Sequence, residues 1–423
     1  VDAVRTELYG WQGVELRNAW VTLRAVPDIG GRVVGYRLGP YECLWLNKRY
    51  LGKLFTPEEH VGDGSMDAWI NYGGDKTWPA PQGWDNDDQW HGPPDPVLDG
   101  GRYTLDLLEA DEMSATVRMT SPADPQTGVQ ITRQATLHAG GSRVTLALTF
   151  TNTSDRPRRW SIWDVFQHRA EKVLPDGTLT HQDACTVTAP LNPASRHPKG
   201  YQVMFADPAN PEWQVEDGLF VARYLYRVGK VGLDSLGGWI AFSDAAQGYA
   251  FAAQFTPQPG AEYPDNGSTV ECWTVGLGEV PGLKLNYAGS GIYLMETEVL
   301  SPLFDFAPGQ AHTFTIAWGV CRCPGKVVSA AAAGVAARKL SVAHDGDQAH
   351  LQGVFGVFDE GQAVLQLLDG QGRVIRQRAL GEVDPLTVLT VDVLLPLTGA
   401  AAARLIVVAA ADGQERLLDE ATI

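Results

Sequence analysis

An all-β chain made of antiparallel sandwiches is what this sequence predicts, and three observations carry the prediction. Runs such as Arg143 to Phe150 (RVTLALTF) alternate polar and apolar residues with the period of two that a half-buried strand needs. Clusters of Gly, Pro, Asn and Asp break those runs at about every dozen residues, the grammar of short strands and tight turns. All 13 Trp and all 13 Tyr precede position 319, while the remainder is rich in Ala, Val, Leu and Gly, so the chain divides into a large and a small unit.

Taken in order, Gly128 to Leu137 and Arg143 to Phe150 form an expected hairpin across the turn His138-Ala-Gly-Gly-Ser142. A second strand pair follows from Thr149 to Arg169 (TFTNTSDRPRRWSIWDVFQHR), broken at Asn152 to Pro157. Past position 320, the Ala-rich stretch VVSAAAAGVAARKL after Pro324-Gly325 predicts a connecting helix over 326–340. Beyond it, stretches 349–358, 362–369, 373–380, 387–395, 404–410 and 414–419 read as short strands of a small immunoglobulin-like or fibronectin-like sandwich. The expected organisation is a large sandwich over 1–325, a linker helix over 326–340 and a small sandwich over 341–423.

Composition narrows the function. The 423 residues carry 33 basic and 50 acidic side chains, a formal charge of -17, which repels phosphate backbones and anionic lipid surfaces. Neither nucleic acid nor a membrane is an expected partner. No apolar run reaches the about 18 residues of a membrane span, and Val1 to Arg5 lacks a basic-then-apolar signal pattern, so a soluble chain is expected. Five scattered cysteines argue against a disulfide framework and towards a reducing, cytoplasmic setting. Cys321-Arg322-Cys323 lacks the spacing of a zinc site, and no paired-histidine motif, phosphate-binding glycine loop or GxSxG occurs. No metal and no cofactor are expected.

Chemistry concentrates in three segments. Met66 to Gly101 holds Trp69, Trp78, Trp84 and Trp90, with Asp75, Lys76, Gln82 and Asp88 among them. Indole faces stack on the C–H faces of sugar rings while polar groups bracket hydroxyls, so this reads either as a carbohydrate site or as packing at the end of a sandwich. Asp85-Asn86-Asp87-Asp88 lacks the spacing of a calcium loop and reads as a solvated turn. On the strand after Pro157, alternation puts Asp164 and His168 on one face and Trp163 and Gln167 on the other; the His is either a proton-transfer group or a hydrogen-bonded structural residue. In the third segment, YPDNGSTVECW and YLMETEVLSP, Glu296 and Glu298 share a strand face, either solvated or working.

In this order the segments resemble the galactose mutarotase-like (aldose 1-epimerase) supersandwich superfamily. The resemblance rests on Pro27-Asp-Ile-Gly-Gly-Arg32, Tyr72-Gly-Gly-Asp-Lys-Thr-Trp-Pro79, Thr151-Asn-Thr-Ser-Asp155, and Glu296-Thr-Glu-Val-Leu-Ser-Pro302 with Ala307-Pro-Gly-Gln310. It spans roughly residues 10 to 320 and is nearest a bacterial branch carrying the signature seen here from Asn71 to Gln82. It implies a galactose-mutarotase-like antiparallel β-supersandwich that binds carbohydrate and, as an enzyme, an aldose 1-epimerase-like isomerase. The implied catalytic groups are His168 as acid and Glu271 or Glu296 as base. Arg32, Asp75, Lys76, Trp78, Gln82, Trp90, Asp164 and Gln167 are the implied substrate-binding residues. Where the superfamily carries its acid His, this strand reads Ile162 or Trp163, so His168 would be a displaced substitute. Non-catalytic glycan binding, or a polysaccharide lyase or glycoside hydrolase on the same fold, are the alternatives.

Overall fold

Alternating sequence becomes two large antiparallel sheets in the computed structural model, which describes residues 1–280, 283, 285–345, 348–396 and 398–423. The first has twelve strands among the described residues; its central strands, in spatial order, are Asp75–Ala80, Arg158–Arg169, Leu294–Leu300, Val270–Thr274 and Gly229–Leu233. The second has ten, and includes the anticipated hairpin as Val129–His138 paired with Val144–Asn152. Those two strands bury every other residue, because one face packs on the core and the other meets solvent. Arg158–Arg169 is buried almost throughout, since side chains on both of its faces are covered.

The core between the sheets gathers Leu23, Val33, Ile162, Phe166 and Val299 from the first and Val144, Leu146, Ile316 and Trp318 from the second. Short loops with special backbone bring the first sheet together. Gly73 and Gly74 have φ of 91° and 76°, and a Cβ on Gly74 would lie 2.5 Å from the carbonyl oxygen of Val33. Glycine there lets the Asp75–Ala80 strand join the sheet.

Strands from Ser329 onward form two further four-stranded sheets around Leu351, Phe355, Leu365, Leu405 and Val407. The helix expected over 326–340 is absent: Ser329–Ala331 and Gly334–Asp345 are strands paired with each other, and the second also pairs with Gln348–Val357. Alanine's helix propensity is worth only a fraction of a kcal/mol per residue, and burial of Ala333, Val335 and Ala336 outweighs it. Phe358 from this part packs with Trp239, Cys321 and Val335 against the outer face of the ten-stranded sheet. A Cβ on Gly319 would come within 2.5 Å of the Phe358 ring, so the absence of a side chain there seats the phenyl group. Arg143 Nε closes the contact on Asp359 Oδ1 at 2.7 Å.

Candidate functional site

Strand alternation sorts the chemistry-bearing residues onto two faces of the twelve-stranded sheet. His168 points into the core, with its ring stacked on Phe242 at 4.3 Å and its Nε2 2.8 Å from the Thr297 hydroxyl. Burial holds its pKa well below the ordinary histidine value, so it stays neutral. The expected role of His168 as catalytic acid is therefore corrected: it is a packed core residue. Asp75 and Asp164 face the same way and neutralise the buried Arg133, with Thr77 Oγ1 donating to Asp164 Oδ1 at 2.8 Å. They do not reach the outer face, so their expected substrate-binding role is corrected too.

The outer face carries Lys76 and Trp78, Trp163 and Gln167, Glu296 and Glu298, Glu271 and Trp273, and Lys230, all brought alongside one another by register. These strands floor a cleft with about 810 Å³ of empty space, part of it open to solvent. Its walls come from loops and strand ends: Met66 and Trp69, Gln82 and Trp84, Met204 and Phe205, Asp265, and Tyr287. Indoles from Trp69, Trp78, Trp84, Trp163 and Trp273 therefore surround a charged floor.

Two lysine-centred groups of ion pairs organise that floor. Lys76 Nζ lies 3.3 Å from Glu296 Oε1, which also accepts from the Gln167 amide at 2.5 Å. The ammonium sits 5.1 Å from the centroid of Trp78 and 5.8 Å from that of Trp69. Burial lowers its pKa to about 8, while Glu296 works to raise it. In the second group Lys230 Nζ is 2.7 Å from Glu271 Oε2 and 3.0 Å from Glu298 Oε2, and lies 4.3 Å over the Trp163 ring. Trp163 Nε1 donates to Glu298 Oε2 at 2.7 Å. Burial pushes Glu298 up to about 8 and Glu271 to about 7, despite Lys230; the charge of Glu271 adds to the rise at Glu298 and that of Asp265 to the rise at Glu271. Carboxyl groups that hold a proton near neutrality beside one that faces the cleft can exchange protons with a bound molecule.

The remaining expected residues separate by depth. Trp78, Gln82, Gln167 and Glu296 line the cleft, and Lys76 and Glu271 lie just beneath it in the ion pairs. Trp90 is fully buried behind Trp78, with ring centroids 5.1 Å apart, and its expected contact with substrate is corrected to packing. Arg32 is also fully buried and pairs with Asp99, so it does not grip substrate. Asp99 in turn takes hydrogen bonds from Trp69 Nε1 at 2.7 Å and His60 Nε2 at 3.0 Å, and so holds one wall of the cleft in place. Sequence reasoning missed Lys230, Trp273 and Tyr287, and it put Trp163 and Glu298 on the right faces without giving either a role in the site. Their signal was the period of two that placed Trp163 with Gln167 and Glu298 with Glu296, whereas Gly229–Leu233 is too short to announce a face.

Among the described residues no cluster of His, Cys, Asp or Glu is arranged to hold a metal ion, and Asp85 to Asp88 form a turn braced by Asn86 and Gln89. All five cysteines are buried and unpaired. No helix among the described residues is long and apolar enough to cross a membrane.

Residues 11–321 match the family described as "Domain of unknown function (DUF4380)". No curated protein matches the chain. Similar solved structures include a galactose mutarotase-like protein from Clostridium acetobutylicum, 10% identical with a TM-score of 0.47, covering 76% of this chain and 98% of that one. A galactose mutarotase-like protein from Lactobacillus casei ATCC 334 is 11% identical with a TM-score of 0.44, covering 73% of this chain and 99% of that one. A TPR-domain containing protein from Parabacteroides distasonis ATCC 8503 is 11% identical with a TM-score of 0.47 over 73% of this chain; the match spans only 46% of that protein.

Proposed function

This chain belongs to the DUF4380 family, described as a domain of unknown function, and from that premise we propose that it is a carbohydrate-binding protein whose cleft takes a saccharide. The observation that carries this reading is the ring of indoles around a floor of paired charges. Flat aromatic faces match the C–H faces of pyranose rings, and carboxylates, ammoniums and the Gln167 amide supply acceptors and donors for hydroxyl groups. Titrating a panel of mono- and oligosaccharides against intrinsic Trp fluorescence tests it. Saturable quenching by at least one sugar, weakened in Trp78→Ala, is expected; no response across the panel would overturn the reading.

A second reading, an aldose 1-epimerase-like isomerase, is favoured by the two glutamates two residues apart on one strand. Glu296 would take the proton of the anomeric hydroxyl as the bond from the anomeric carbon to the ring oxygen breaks, and protonated Glu298 would deliver a proton to that oxygen. Polarimetry on freshly dissolved anomers decides it: Glu296→Gln should abolish acceleration while saccharide binding persists.

A further inference from the structure

The floor of the cleft holds more carboxyl groups than cations. Among the described residues Glu296 occupies Lys76, leaving Lys230 alone against Glu271, Glu298 and Asp265. Oε1 of Glu298 is buried and receives no hydrogen bond, although Glu298 lines the cleft and is fully shielded from solvent as a residue. Asp265 comes to the same cleft from a turn in which it adopts φ of 49°, a left-handed conformation that aspartate and asparagine tolerate better than most residues. Burial and the charge of Glu298 raise the Asp265 carboxyl above its ordinary range, against the pull of Lys230.

We infer, resting on the saccharide reading, that the sugar bound here bears a protonated amine: an amino sugar whose ammonium lies between Glu298 and Asp265 and under the aromatic walls. An ammonium supplies the donors that Oε1 of Glu298 lacks and takes the place of the protons that burial holds on Glu298 and Glu271 near neutrality, and indole faces attract it through their quadrupole. A uronate is the opposite case, because both lysines are already committed to protein carboxylates. A hard metal ion would demand oxygen ligands all round, and aromatic walls do not provide them.

Calorimetric titration at neutral pH with glucosamine oligosaccharides, their N-acetylated counterparts and cello-oligosaccharides of equal length tests the inference, and because the amine displaces a carboxyl proton, its heat of binding should depend on the ionisation enthalpy of the buffer. The free-amine series should bind at least about tenfold more tightly, equivalent to about 1.4 kcal/mol, and this preference should fall with added salt. Asp265→Asn keeps the left-handed turn and the size of the side chain while removing its charge, and should lower the preference several-fold without unfolding the protein. Equal or tighter binding of the neutral sugars, or a preference untouched by Asp265→Asn, would overturn the amine while leaving the saccharide reading intact. Failure of all three series to bind would overturn the amine, and the saccharide reading falls with it only if the wider sugar panel is silent as well.

Discussion

Trp163 and Glu298 meet across adjacent antiparallel strands, the indole N–H donating to the carboxyl oxygen Oε2 at 2.7 Å. One side chain thereby serves as cleft wall and as a fixed donor to the floor, with Lys230 held between the Trp163 ring and the Glu298 carboxyl. The contact ties the shape of the site to its proton inventory.

Stability should therefore depend on pH through Glu298. Its folded pKa is raised from 4.5 to about 8, so the group binds more protons in the folded than in the unfolded state across that interval. Its contribution is fully present below 4.5 and is lost as pH rises through about 8, with Glu271 adding the same sign up to about 7. Glu298→Gln, a neutral mimic of the protonated acid, should flatten the fall in stability over this window and exceed the native protein at its alkaline end. Urea denaturation at stepped pH reads this out, and a variant as pH-dependent as the native protein would count against the assignment.

The tryptophans should divide by burial rather than by their place in the sequence. Trp84 lines the cleft and is 54% exposed, so Trp84→Ala should weaken saccharide binding with little change in stability. Trp90 is fully buried behind Trp78, and Trp90→Ala should cost about 3–5 kcal/mol of folding stability. Paired thermal melts and sugar titrations of the two variants check the division.

His168→Phe should leave saccharide affinity and any mutarotation rate unchanged within about twofold. The phenyl ring can occupy the place against Phe242, while loss of the bond to Thr297 costs about 1 kcal/mol. Loss of binding or turnover in a variant of near-native stability would restore His168 to the chemistry.

Much of the fold was legible because a strand half-buried on a sheet writes its period of two directly into the chain. The expected hairpin appears as Val129–His138 with Val144–Asn152, and the last six expected strands correspond to strands from Gln348 to Thr422. The 326–340 stretch misled because helix propensity is local and weak, whereas the pairing of Gly334–Asp345 with Gln348–Val357 is decided by distant residues.

For the site, sequence by itself determined which residues share a face: Asp164 with His168, Trp163 with Gln167, Glu296 with Glu298. Only the tertiary structure decided which face is the core and which is the cleft. That choice turns on where the second sheet packs, and periodicity is symmetric with respect to it. Burial then set the proton affinities of Lys76, Glu271 and Glu298, because the energy of a charge depends on the solvent it loses and the partners it gains across strands far apart in the chain.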